Sequence, residues 1–247
     1  MRKFSWLALV LGACVAQPGA EVTNVPRLSA NGMTPDNIAH SQLTTAVLDA
    51  GAAAAMAVDA EAQKVLRYAA ECALAPGQAV SYSVGGVADV LSGAMGIAPG
   101  WTTAGLSASE AAWVSACVFS RANASGLSIT ISDRGAAAGL ATSAAELASY
   151  QIEEGAFWGN AFVDLGAVVA YSCNGVDQAA DDSYGDLPYR ECAEPDGVPG
   201  GSLSACGMRY AGLCSEACAT ASPYAGCSFE GGPASTEVVT TFLYGSP

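Results

Sequence analysis

The sequence predicts a single α+β domain braced by disulfides: a helical N-terminal half, a few antiparallel strands and a Cys-rich loop segment. Three observations carry that expectation. Apolar residues recur at helical spacing in two segments of the first half. Short stretches elsewhere alternate apolar and polar residues, without the regular strand–helix–strand rhythm of a parallel sheet. Nine cysteines are present, six of them crowded between Cys173 and Cys227.

The first helix expected with clear caps follows Asp59. It runs from Ala60 to Leu74 and stops at Pro76-Gly77, with Val65, Ala69 and Cys72 on one face, so Cys72 points to the core. Before it, Gln42 to Met56 is dominated by Ala and Thr and reads as a helix or a low-complexity spacer. A further helix begins at Ser107, where Ser107-Ala108-Ser109-Glu110 fits a capping box. It carries Trp113, Ala116, Cys117 and Ser120 on one face and ends near Asn123. Each helix presents one cysteine to the core, so Cys72 and Cys117 are expected to pair and clamp the helices together.

Val80 to Gly86 alternates and ends in glycines, which predicts a strand, as does the alternation from Leu127 to Ser132. A short helix is expected from Ala144 to Gln151, and strands at Ala167–Cys173 and Glu237–Leu243. From Cys173 to Cys227 periodicity fades among Gly, Pro, Asp and Ser, apart from a short helix around Cys214–Thr220. Six cysteines allow fifteen pairings. Proximity in sequence favours Cys173 with Cys192, and Cys206, Cys214, Cys218 and Cys227 stay unassigned.

The N-terminus carries a targeting signature. Met1-Arg2-Lys3 precedes a short apolar run from Phe4 to Ala13, the pattern of a secretory signal and too short to span a bilayer stably. Leu11-Gly12-Ala13-Cys14 resembles the lipobox of bacterial lipoproteins, which implies a signal peptide over residues 1–13 and a lipid on Cys14. Ordinary cleavage after Ala16 or Ala20 is the alternative. Val15, rather than an aspartate, follows the cysteine, so the expected destination is the outer membrane or cell surface. Setting Cys14 aside leaves an even eight cysteines, as an oxidising compartment favours. Residues 14–40, rich in Pro, Gly, Asn and Ser, are expected to form a flexible tether, and 41–247 the globular domain.

Composition limits the partners. The formal charge of −14 moves to −16 once Arg2 and Lys3 leave with the signal. Such a surface repels phosphate backbones and anionic headgroups, so nucleic acid is not an expected partner and the membrane is reached through the lipid alone. Charged residues make up only 13% of the chain, which separates it from disordered acidic tails.

The chemistry-bearing residues are few. The chain has one histidine, His40, beside the expected tether, and no Gly-x-Ser-x-Gly elbow, which removes the histidine-dependent hydrolases. Cys206, Cys214, Cys218 and Cys227 lack the paired knuckles of a zinc site, so no cofactor or structural metal is expected. Asp177, Asp181, Asp182 and Asp186 form an acidic loop that is a weak calcium candidate, without the order of an EF-hand. The candidate catalytic acids are Glu153 and Glu154, beside Phe157 and Trp158, with Asp133 as a partner; two carboxylates of this kind serve glycoside hydrolysis. Read structurally instead, Glu153 and Glu154 end a helix and Asp133 pairs with Arg134 in a turn. Trp101 and Tyr184 are candidates for an exposed binding patch.

Five stretches form a further pattern: Leu66–Leu74, Gly96–Trp101, Trp113–Cys117, Glu154–Asn160 and Glu237–Leu243. Together they resemble uncharacterised cysteine-containing exported bacterial lipoproteins, over most of the chain from about Val65 onward. The resemblance implies one long domain with fixed cysteines and brings no activity with it. The expectation is therefore an exported, lipid-anchored envelope protein acting as a binding or structural module. The alternative is a carboxylate-dependent hydrolase of cell-wall or extracellular polysaccharide.

Overall fold

The computed structural model describes residues 33–123, 130–175, 192–193, 195–198 and 201–245. They form an α+β domain: a five-stranded sheet with the helices, Cys192 and Cys206 on one face and the Cys214–Cys227 part of the Cys-rich segment on the other, plus a separate hairpin.

Helix α1 spans Pro35–Ala39, α2 Ala50–Met56 and α3 Ala60–Ala73. Short carboxylates start the latter two. Asp49 Oδ1 accepts the Ala52 N–H at 2.8 Å and Asp59 Oδ1 accepts that of Ala62 at 2.7 Å, each satisfying a backbone donor that the first turn leaves open. The hairpin strands β1 (Ala79–Val84) and β2 (Val87–Ser92) meet across Gly85-Gly86, both at positive φ (59° and 83°), as a two-residue primed turn requires. Helix α4, Ala108–Ser120, begins with the expected capping box: Glu110 Oε2 accepts from the Ser107 N–H at 2.8 Å, and Ser107 Oγ accepts from the Glu110 N–H. The hydrogen bonds from Ser107 hold the Glu110 carboxyl below its ordinary range.

The sheet is assembled from β3 (Ile131–Arg134), β4 (Ile152–Asn160), β5 (Val169–Asn174), β6 (Arg209–Leu213) and β7 (Val239–Leu243), in the order β3-β7-β4-β5-β6. All neighbours are antiparallel except β5 and β6. Short helices α5 (Ala144–Ser149) and α6 (Cys214–Ala217) flank it. Side-chain alternation along β4 divides the core. Phe157 joins Val239 and the α3 and α4 residues Leu66, Val114 and Phe119 in the main cluster. Ala156 and Trp158 face the other way, toward Cys173, Tyr224, Cys227 and Val238. Strands β4 and β7 are thus covered on both faces, β7 along its whole length.

Two glycines make the centre of the sheet fit. A Cβ on Gly155 would lie 2.2 Å from the Cys173 carbonyl oxygen and 2.7 Å from the Ala193 Cβ. Gly159 adopts φ 137°, and its Cβ would lie 2.1 Å from the Val169 carbonyl oxygen.

All eight cysteines from Cys72 to Cys227 are paired. Cys72 joins Cys117 as expected, bridging α3 and α4. The expected Cys173–Cys192 pair is corrected: Cys173 bonds Cys214, Cys192 bonds Cys206, and Cys218 bonds Cys227. Sequence proximity failed because Cys173 lies near the end of β5 while Cys214 follows its parallel neighbour β6, so strand pairing brings these two together across 41 residues. The Cys173 and Cys218 sulfurs lie 3.9 Å apart, so two of the bridges pack as a unit.

Three boundaries also differ from expectation. The tether does not extend to residue 40: Met33 is fully buried, its carbonyl accepts the Asn123 N–H at 2.7 Å, and α1 packs on α3. The helix expected within Gln42–Met56 is confined to α2. Glu153 and Glu154 lie within β4 rather than at a helix end, because α5 stops at Ser149. Among the described residues, no helix is long and apolar enough to cross a membrane.

Candidate functional site

The candidate acids lie at the middle of the sheet, and its register decides what they can do together. Glu153 pairs with Phe242 and Gly155 with Thr241, so Glu154 is the extra residue of a β-bulge. Their partners separate the two side chains. Glu153 Oε1 accepts the Tyr224 hydroxyl at 2.6 Å, and the Tyr224 backbone N–H donates to Thr240 Oγ1 at 2.8 Å. Glu154 Oε2 accepts the Thr241 hydroxyl at 2.6 Å. Thr240 and Thr241 are consecutive on β7 and therefore point to opposite faces. Glu153 belongs to the face under Tyr224 and the Cys214–Cys227 stretch, and Glu154 to the helical face.

Both are buried, at 6% and 1% exposure, and each accepts a hydroxyl at a short distance. Two carboxylates serving one glycosidic bond must flank it about 5–10 Å apart in one cleft. Glu153 and Glu154 do not meet that requirement, since a sheet lies between them.

Asp133 shares the helical face with Glu154, because Asp133 pairs directly with Thr241 across β3 and β7. Its carboxylate sits 3.7 Å from Arg121 Nε, and the same guanidinium reaches Glu71 Oε2 at 3.2 Å. The expected Asp133–Arg134 pairing in a turn is corrected on the same ground. The two are adjacent on one strand and face opposite ways.

Arg134 serves the other face. Its guanidinium lies 3.6 Å over the Phe242 ring, donates through Nε to Ser132 Oγ at 3.1 Å and reaches the Tyr150 carbonyl. Ser132 Oγ in turn donates to Glu146 Oε1 at 2.7 Å. Burial pulls the Arg134 guanidinium down from its ordinary value, against Glu146 and Glu153, which hold it up. Burial raises the Tyr150 hydroxyl, assisted by Glu146 and Tyr244. These contacts tie β3, α5, β4 and β7 together.

The remaining sequence candidates are scattered. His40 Nδ1 lies 3.2 Å from Asp59 Oδ2, with both side chains about half exposed, at the junction of α1 and α3. Trp101 is not a surface platform: it is 1% exposed, its indole N–H donates to the Ala46 carbonyl at 2.8 Å, and its ring meets Phe162 edge-on. Cys206, Cys214, Cys218 and Cys227 are all in disulfides. Cys14, Asp177, Asp181, Asp182, Asp186 and Tyr184 lie outside the described residues. Among the described residues, no group of three His, Cys, Asp or Glu is placed to hold a metal ion.

A different surface feature was missed. Trp158, Tyr171 and Arg209 occupy directly paired positions on β4, β5 and β6, and Phe229 closes over them from the loop after Cys227. Trp158 stacks on Tyr171 with centroids 5.7 Å apart, Tyr171 meets Phe229 at 5.3 Å, and the Arg209 guanidinium lies 5.9 and 5.8 Å from the last two rings. Trp158 is buried, Tyr171 and Phe229 are half-buried and Arg209 is exposed, so the ladder leads from the core to the surface. The aromatic content of β4 and β5 was visible in the sequence. The parallel pairing that adds Arg209 was not, because β6 carries two small residues and reads as loop.

No family model, curated protein or solved structure matches the chain.

Proposed function

We propose that this is an exported protein of the bacterial cell envelope, lipid-anchored through Cys14 at the outer membrane or cell surface. Its α+β domain acts as a binding or structural module. The observation that carries the reading is the cysteine pairing: the eight cysteines beyond Cys14 close into four disulfides, leaving Cys14 as the odd one. Such a framework belongs to an oxidising compartment. Leu11-Gly12-Ala13-Cys14 supplies the lipidation motif, and acyl chains at about 0.8 kcal/mol per buried methylene give stable attachment.

The binding or structural role is supported by the sheet acids. Glu153 and Glu154 are held by Tyr224 and Thr241 on opposite faces, and Asp133, which shares the face of Glu154, is buried there beside Arg121, so a polysaccharide hydrolase would have to draw an accessible acid pair from elsewhere in the chain. The test is growth of the producing cells with an alkyne-bearing palmitate, followed by fractionation, for the native chain and Cys14→Ser. The native chain should take up label and sediment with outer membranes, and Cys14→Ser should lose the label and be released. An unlabelled native chain found free in the medium would overturn the anchor.

A further inference from the structure

Two of the four disulfides touch. The Cys173 and Cys218 sulfurs lie 3.9 Å apart, although each is bonded elsewhere, to Cys214 and Cys227 respectively. The short helix α6 accounts for the contact. Cys214 and Cys218 stand at either end of one turn, with the Cys218 N–H donating to the Cys214 carbonyl at 3.0 Å, so both sulfurs leave the same side of that turn toward Cys173 on β5.

The outer bridge is open to a partner where the inner one is not. Among the eight bridged cysteines only Cys218 is not buried, whereas Cys173, Cys214 and Cys227 are all at 0% exposure. The outer bridge closes a loop of 9 residues that carries no charged side chain and is exposed over residues 219–223. Hydrogen bonds independent of the bridge hold that loop in place. The Ala219 N–H donates to the Ala225 carbonyl at 3.1 Å, Cys227 and Ser235 exchange backbone bonds at 3.0 and 2.8 Å, and the Tyr224 hydroxyl rests on Glu153 at 2.6 Å. A Cys218 thiol released from Cys227 therefore stays beside Cys173, and its attack there is an intramolecular event. Bond formation at about 2.0 Å asks Cys218 to advance by about 2 Å, a small shift for a half-buried residue whose own bridge has opened.

From this contact and the single accessible sulfur, we propose that the two bridges form a thiol-exchange switch driven by an external dithiol. One thiolate of the dithiol attacks Cys218 Sγ, the Cys218–Cys227 bond breaks, and its electron pair goes to Cys227 Sγ, which takes a proton. The second thiolate of the dithiol displaces Cys218 and departs as a disulfide, so two electrons have passed to the chain. The Cys218 thiolate then attacks Cys173 Sγ, forms Cys173–Cys218 and expels Cys214, which takes a proton. This last exchange is redox-neutral. The reduced state keeps a covalent tie between β5 and the Cys-rich segment, moved along by one helical turn, and releases the loop to Cys227. The switch requires neither the lipid nor a bound ligand, so it goes beyond the anchored-module reading and stands or falls apart from it.

The test is brief treatment of the disulfide-intact protein with equimolar dithiothreitol, an acid quench, maleimide labelling and peptide mapping. Acid stops exchange by protonating the thiolates. Cleavage after Glu216 and Tyr224 separates Cys214, Cys218 and Cys227. The main species that has lost one bridge should carry Cys173–Cys218, with label on Cys214 and Cys227. Without any reductant, Cys227→Ser should already show Cys173–Cys218 and a reactive Cys214, whereas Cys218→Ser should keep Cys173–Cys214. A one-bridge product labelled at Cys218 and Cys227, earlier reduction of another bridge, or an intact Cys173–Cys214 pair in Cys227→Ser would overturn the proposal.

Discussion

Removal of the Cys72–Cys117 bridge tests how far this domain depends on covalent bracing. The bridge closes a loop of 45 residues between α3 and α4, and both cysteines are fully buried. On the chain-entropy model, a loop of that length contributes about 4 kcal/mol at 25 °C. The Cys218–Cys227 bridge closes only 9 residues and on the same model contributes about 2.5 kcal/mol. Urea unfolding of the two double Cys→Ala variants, followed by the fluorescence of buried Trp101, compares them directly. With a slope of about 2 kcal/mol/M, the first variant should lose about 2 M in midpoint and the second about 1 M. A short loop that costs as much as the long one, or a midpoint moved by less than about 0.5 M on losing Cys72–Cys117, would show that loop closure is not what these bridges contribute.

Three further outcomes follow from the sheet and the helix caps. Thr241→Val removes the hydroxyl bound to buried Glu154 while keeping its volume, and should destabilise by about 1–3 kcal/mol in chemical denaturation; a change within error would show that the bond is dispensable. Gly155→Ala drives a methyl into the Cys173 carbonyl and should cost about 1–3 kcal/mol or prevent accumulation of folded protein, so wild-type stability would contradict the packing described. The Asp59 carboxyl is held below its ordinary 3.8, first by the Ala62 backbone N–H and then by His40. Because the folded value is depressed, its stabilisation is present above the unfolded value and lost as pH falls through the folded one. The N-terminus of α3 should loosen below about pH 4, read by amide exchange, and Asp59→Ala should lack that acid transition.

How much was legible in the sequence differed by element. Helices α3 and α4 were clear because their caps and periodicity agree with their tertiary setting, and the cysteine on each apolar face brought the Cys72–Cys117 pair with them. Strand β4 was obscured by its own composition. Glu153, Glu154, Gly155 and Gly159 are poor strand formers in isolation, and they fit only because Tyr224 and Thr241 bind the acids while neighbouring backbone excludes any Cβ at the glycines. The two glutamates stood as candidate acids with Asp133 as their partner, yet their bonds to Tyr224 and Thr241 place them on opposite sides of a sheet, and Asp133 is buried with Glu154. The Cys-rich pairings were illegible for a related reason. They depend on β6 running parallel beside β5, a long-range pairing with no local trace.

A four-disulfide domain whose remaining cysteine carries the lipid can be read from the intact mass of the mature native protein. The mass would be taken after thiol alkylation under denaturing conditions, with and without reduction. The expected result is a chain beginning at an acylated Cys14, no alkylation before reduction, and eight alkylated cysteines after it. A mature chain that starts beyond Cys14, or a thiol that reacts before reduction, would contradict it.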